Sequence, residues 1–479
     1  MPGARDDLDY VVEGTVVTMD DASRVIPDGA VGVAGERIVA VGERDELVRA
    51  DRASPRIGGR GSIVVPGLID CHNHLGQALV REYGFEDVPN VNRVYIPSEG
   101  ELSVDDVRVS ALVAVAQLLR SGVTTVAETT GTPAHEDAIV EVVTESGIRC
   151  AMARGRGDRR ASHAGNYDQG SRRSSFDDDP GLLAEDLART EDFVRRLQDG
   201  ANGRLRPWIH TGSVLRCSDA RFVELRALAE RCGTGLMTHI NRDREEIEFA
   251  LDVLGKRPLE HLHDLGILGP DFLAIHAMLT TDREIELLRQ ADARVAHAPI
   301  VCSDVLSAVT KVVTMRSVGV TVGLACDTVI NDVLTVMRLA WLMQSQASCI
   351  PLYDPAGFTA EDAFTMGTRD GARALGWEDA IGSLEVGKQA DLVVIEADNL
   401  RISPFVNPVT ALVRYASGAD VDSVMVAGRL VVEGGRVTTI DEGALLAQAA
   451  SIYRKMGPAM EGRRMRPLAT EPRLPSEVR

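Results

Sequence analysis

Two histidines at the end of an apolar run carry the most pointed chemistry in this chain: Val64-Val65-Pro66-Gly67-Leu68-Ile69-Asp70-Cys71-His72-Asn73-His74. Side chains on a β-strand alternate faces, so His72 and His74 project into one cavity at a spacing that suits two ligands of a single metal ion. Imidazole binds zinc, iron, cobalt or nickel. An isolated His-x-His reads equally well as a solvated strand end, so the decision rests on what other strands supply. The apolar run 235–239 ends in His239, Phe272–His276 ends in His276, and 322–327 places a carboxylate at Asp327. One strand-end histidine is commonly a satisfied core residue. Four of them with an aspartate, each at the C-terminal end of its own strand, read as a metal site.

The elements that must position these groups alternate along the middle of the chain. Ser103 with Asp106 forms a capping box for a helix through Leu119, stopped at Gly122. Strands follow at 123–127, 148–153, 205–210, 235–239, Phe272–His276, Arg294–His297 and 321–325. Helices at 136–144, 182–197, 220–231, 244–254, Asp282–Gln290 and 309–318 separate them. Such alternation predicts a (β/α)8 barrel with its site at the C-terminal ends of the strands. The first 60 residues and the last hundred instead read as short strands punctuated by Gly, Asp and Pro. They predict a small β-sandwich built from both chain ends, 1–63 and 380–479, flanking a barrel over 64–379. One stretch, 155–180, is polar and without hydrophobic period, and suits a mobile cover over the barrel mouth or a plain surface insertion.

Composition bounds the partners. With 479 residues, 44% hydrophobic and 26% charged, the chain has ample material for a core, drawn mainly from aliphatic residues because aromatics make up only 4%. A net charge of −19 argues against nucleic acid or an anionic membrane as partner. The seven cysteines are scattered without a C-x-x-C, which speaks against a disulfide framework or a thiolate zinc knuckle. No basic-plus-apolar leader pattern opens the chain and no run of 18 apolar residues occurs, so a cytoplasmic location is the expectation.

The segments PGLIDCHNH, MTHINRDREEIE, FLAIHAMLTTDREIELL, GLACDTVIND and GARALGWEDAIGSLEVGKQADLVVIE resemble the amidohydrolase superfamily. They are most similar to the branch of guanine and cytosine deaminases and triazine or phenylurea hydrolases. The resemblance runs to about residue 435 and implies the same barrel and composite β-domain. It implies that His72, His74, His239 and Asp327 bind one divalent metal, Zn2+ or alternatively Fe2+ or Co2+. It also implies that Asp327 accepts the proton of the attacking water, and that His276 contacts that water or the developing oxyanion. A metal of this kind brings the pKa of bound water from about 15.7 to about 7. No lysine ends a central strand where binuclear relatives carry a bridging one, so one metal is expected rather than two. Family analogy further implies a homodimer or larger homo-oligomer acting on a small molecule.

One departure bears on the reaction. Deaminases of this branch carry Glu three residues after the third histidine, whereas this chain reads His239-Ile240-Asn241-Arg242. Arginine stays charged and cannot shuttle a proton. The expectation is therefore hydrolysis of a C–N bond in an amide, urea, carbamate or N-alkylamino heterocycle. Deamination of a nucleobase-like or triazine ring is the alternative, and a metal-free scaffold paralogue a third. Arg242 is read either as a contact to a substrate carbonyl or anion, or as an ion pair with Asp243 or Glu246. Gln77, Asn241, His210 and Cys217 are further candidates for substrate contact. Glu128 is read as a structural hydrogen-bond group, Asn331 and Asp332 as helix caps, and His261 and His263 as loop residues before the 272–276 strand.

Overall fold

The computed structural model describes residues 8–51, 53–84, 90–130, 132–155, 157–163, 175–198, 200–305 and 307–461. Eight parallel strands form the central sheet: β1 Leu68–Asn73, β2 Val123–Thr130, β3 Arg149–Arg154, β4 Leu205–Gly212, β5 Leu236–Ile240, β6 Phe272–His276, β7 Arg294–His297 and β8 Val322–Leu324. They lie side by side in chain order. Beyond its last paired residue the β8 segment returns to β1, where the Asp327 amide donates to the His72 carbonyl at 3.0 Å. Every residue of β1, β3 and β6 is buried, the pattern of parallel strands covered on both faces.

Local sequence explains the helices that cover this barrel. Ser103 and Asp106 satisfy each other's backbone amides in a capping box, starting the helix Val104–Arg120. Its buried positions Val107, Ala111, Ala114, Val115 and Leu118 follow the helical repeat and join the main core with Val126, Ile139 and Val142. Asp332 caps Val333–Gln344 by accepting from the Thr335 amide at 3.1 Å.

The two chain ends meet in one mixed eight-stranded sheet. Its order is Arg436–Val437, Arg429–Glu433, Val421–Val426, Leu392–Glu396, Arg56–Pro66, Tyr10–Val17, Val25–Ala34 and Arg37–Glu43. Only Tyr10–Val17 and Arg56–Pro66 run parallel. Val12, Val31, Ile38, Val64, Val394 and Met425, one from each of six strands, share a buried cluster.

The run 64–74 is therefore two strands rather than one. Val64, Val65 and Pro66 pair with Val394, Val393 and Leu392 in the outer sheet, and Leu68 begins the barrel. Gly67 makes the crossing, because a Cβ there would lie 2.0 Å from the Thr124 hydroxyl. A buried two-point ion pair fastens the same junction: Arg149 Nε and Nη2 donate to Asp391 at 2.9 and 3.0 Å. The last described helix, Glu442–Glu461, leans on the barrel through Lys455–Asp106 at 2.8 Å. Among the described residues no helix is long and apolar enough to cross a membrane.

Candidate active site

The strand ends bring their polar side chains to one point. His72 Nε2 lies 3.3 Å from Asp327 Oδ1 and 3.2 Å from His239 Nε2. His74 Nε2 is 3.7 Å from Asp327 Oδ1, and His276 Nε2 is 3.7 Å from Asp327 Oδ2. Four donors placed tetrahedrally at about 2.0–2.1 Å from a zinc ion stand roughly 3.3–3.4 Å apart, and these spacings bracket that value. Bare nitrogens and carboxylate oxygens facing one another at this range repel unless a cation lies between them. Two overlapping triads have donor atoms close enough for a divalent metal, His72–His74–His239 and His72–His276–Asp327, and the expected set His72, His74, His239 and Asp327 draws on both.

Hydrogen bonds behind the rings fix which nitrogen faces the centre. The Thr129 carbonyl, 2.9 Å from His74 Nδ1, can only accept, so His74 carries its proton there and presents Nε2 bare. A longer relay orients His239. His210 Nδ1 donates to the Gly155 carbonyl at 3.3 Å, which leaves His210 Nε2 to accept from His239 Nδ1 at 2.8 Å. His239 Nε2 is thereby left unprotonated and aimed at His72. Partners of this kind hold metal-binding imidazoles in one tautomer and orientation. Burial pushes His72 and His210 down to about 3 and His239 and His276 well below the usual imidazole range. All four are therefore neutral at physiological pH, the form that ligates. Burial also pushes Asp327 up to about 6, opposed by its electrostatic interactions with His74 and with the Arg242 guanidinium.

The backbone that delivers these groups is strained. Asn241, His276, Ala277, Asp327 and Thr328 all take left-handed φ values, between 48° and 73°, at the ends of β5 and β6 and three to four residues beyond β8. Each such residue costs on the order of 1–3 kcal/mol and persists only where its surroundings hold it. Here the Ala277 amide donates to the Ile240 carbonyl at 3.1 Å, the Leu279 amide to the Asn241 carbonyl at 2.9 Å, and the Asp327 amide to the His72 carbonyl at 3.0 Å. Strand periodicity contains no signal for these turns.

Comparison with known proteins agrees with this architecture. Residues 63–431 match the model of the amidohydrolase family. The chain is 32% identical over 435 residues to a 5-methylthioadenosine/S-adenosylhomocysteine deaminase of Desulforudis audaxviator, covering 89% of this chain and 95% of that one. The chain belongs to the amidohydrolase family. A zinc-bound adenosine deaminase from Xanthomonas campestris superposes with a TM-score of 0.82 at 24% identity, over 95% of this chain and 99% of that one. An atrazine chlorohydrolase from Arthrobacter aurescens complexed with zinc gives 0.80 at 23% identity, over 93% and 100%. These two likenesses are likenesses of fold.

In this amidohydrolase a cavity of about 340 Å³ opens over the histidine cluster. Gln77, His210 and Arg242 line it, together with His74, His239, His276 and Asp327. Gln77 donates through Nε2 to Glu99. Arg242 pairs with Asp243 through Nε at 2.7 Å and through Nη2, while its amide donates to Glu246 at 3.0 Å. The ion-pair reading of Arg242 is what the contacts show, and the same side chain also lines the cavity.

Asn241 and Cys217 do not line it, which corrects their reading as substrate contacts. Asn241 follows β5 in a left-handed turn that sends its amide to Thr280 at 3.2 Å and Glu284 at 3.0 Å. The buried Cys217 thiol donates to the Thr211 carbonyl, and burial pushes it up to about 11. Glu128 accepts from the Leu75 amide at 2.7 Å, a structural role. Asn331 is a buried link between Asn73 at 2.9 Å and Gln117 at 3.0 Å rather than a cap. His261 and His263 sit on the helix Pro258–Asp264 rather than in a loop.

Glu99 and Asp304, which strand-end reading missed, also line the cavity. They come from the connections after β1 and β7, where sequence shows only polar residues near turns. Of the stretch 155–180, residues 156 and 164–174 lie outside the described residues. Arg159–His163 pairs antiparallel with Ser175–Asp178 on either side of them.

Proposed function

We propose that this amidohydrolase is a mononuclear metal-dependent hydrolase that cleaves a C–N bond in a small molecule by addition of water. Amides, ureas, carbamates and N-alkylamino heterocycles are the substrate classes. The observation that carries the reading is the convergence of neutral imidazoles and the Asp327 carboxylate, in two triads that share His72, under a cavity of small-molecule size. His72, His74, His239 and Asp327 would hold one divalent ion, zinc being the ion named for two relatives of this fold. Such an ion supplies Lewis acidity and acidifies water at neutral pH.

The chain's own groups do the rest. Asp327 takes the proton of the attacking water through a carboxylate oxygen. His276 Nε2, at the end of its strained turn, stands beside Asp327 and stabilises the oxygen on which negative charge develops. Arg242 keeps a fixed positive charge in the cavity wall and favours the ionised form of Asp327. It holds but cannot deliver a proton, which separates this chain from an enzyme that must protonate a ring nitrogen from that position.

A second reading, release of ammonia from a nucleoside-like ring, is favoured by the names of relatives such as the deaminase of Desulforudis audaxviator. One panel tests both. Zinc-reconstituted protein is assayed against acyl anilides, phenylureas, carbamates, alkylamino-triazines and adenosine, with amine and ammonia measured separately. Amine release exceeding ammonia release from adenosine supports the main reading; ammonia from adenosine as the dominant activity replaces it with the second. Arg242→Glu is expected to raise ammonia release from adenosine relative to amine release.

A further inference from the structure

If Arg242 cannot donate a proton, the departing nitrogen must take one from elsewhere, because an amide anion is too basic to leave unprotonated. Among the described residues, Glu99, Asp304 and Asp327 are the carboxylates lining the cavity. Asp327 turns Oδ1 to His72 and His74 and Oδ2 to His276. Glu99 is engaged on both oxygens, Oε1 by Gln77 and Oε2 by the Thr132 hydroxyl at 2.9 Å. Asp304 differs. Its Oδ2 accepts from Asn90 Nδ2 at 3.1 Å, and the same amide lies 3.2 Å from the Gly84 carbonyl, so the carboxyl is held from one side. Its Oδ1 has no hydrogen bond among the described residues. Asp304 ends the short helix Val301–Asp304 that follows β7, so it stands on a barrel-strand connection as the other cavity groups do.

We propose that the Asp304 carboxyl is the acid that protonates the leaving nitrogen, a role left open by Arg242. The assignment rests on the C–N hydrolase reading above. In the step, the water oxygen bonds to the attacked carbon and its proton passes to Asp327. The C–N bonding pair departs on nitrogen, which takes the proton of Asp304. The proton on Asp327 then returns to Asp304 through cavity water, so the balance is one water added, one C–O bond formed, one C–N bond broken and one neutral amine released. Burial, and after it the charge of Asp327, push Asp304 up to about 6 against the Asn90 hydrogen bond. A general acid titrating close to the working pH is the most effective kind.

The test compares leaving groups that need a proton with ones that do not. Zinc-loaded wild type and D304N are assayed on two matched pairs: 4-nitroacetanilide against 4-nitrophenyl acetate, and adenosine against its 6-chloro analogue. Nitrophenolate and chloride depart without a proton; nitroaniline and ammonia do not. In whichever pair wild type turns over, D304N should lose about 10²-fold on the nitrogen leaving group and less than about threefold on the other. D304E, which keeps a carboxylic acid, should recover part of the loss. Retained activity on the second substrate itself reports a folded, loaded protein; should D304N not fold, D304S carries the same comparison. Equal losses on both substrates, or no loss on either, overturn the role of Asp304 and leave the hydrolase reading standing. Wild type that turns over neither pair, nor any of the phenylureas, carbamates and alkylamino-triazines of the panel above, overturns both.

Discussion

The chain contains two His-x-His triplets, and they come to opposite ends. His72-Asn73-His74 leaves a barrel strand, and both rings converge on Asp327. His261-Leu262-His263 lies on the helix Pro258–Asp264, where residues two apart point about 200° from each other. His261 there meets Asp219 at 2.7 Å and His263 meets Asp264 at 3.4 Å, while Leu262 between them is buried. The spacing is identical and the chemistry is not. What separates them is the element: a strand aims i and i+2 together into a buried, neutral site, and a helix divides them across its outer face.

The largest expected effect tests the strand-end pair's convergence. His239→Ala removes a donor facing His72 and should drop activity to background and metal content with it; retained stoichiometric metal would break the comparison. His210→Ala leaves all the donors in place but removes the ring that orients His239, so metal affinity by chelator competition should fall about 10–100-fold. Unchanged affinity would reduce His210 to a wall residue. Glu246→Gln probes the burial that sets protonation at the barrel mouth. Burial, then Asp243, pushes Glu246 up to about 8. A carboxyl raised in the folded state binds its proton more tightly there than in the unfolded chain, so wild type loses stability as pH rises from about 4.5 towards 8. Melting curves should show E246Q gaining on wild type by several degrees across that window. His261→Ala and His263→Ala should be the smallest effects, within about 0.5 kcal/mol in stability, with metal content unchanged.

The barrel was legible because parallel strands buried on both faces read as apolar runs, and because each functional side chain sits at the end of such a run. Phe272–His276 falls where that reading puts it, and Leu236–Ile240 falls one residue later than the expected 235–239. Three things were not legible. The division of 64–74 at Gly67 depends on the approach of Thr124 and on pairing with residues over 300 positions away. The left-handed turns at His276 and Asp327 are held by hydrogen bonds between neighbouring strands, which no local pattern encodes. The pairings behind the cavity groups, His210 behind His239 and Asn90 behind Asp304, are long-range; the sequence marked His210 only as a candidate substrate contact and Asn90 not at all.

The central claim is that one divalent ion sits among His72, His74, His239 and Asp327. Elemental analysis of purified protein, reconstituted with zinc and freed of excess, tests it directly against His72→Ala prepared in parallel. The account predicts one equivalent of zinc per chain in wild type and far less in the variant. No zinc in wild type, or an undiminished equivalent in His72→Ala, would contradict it.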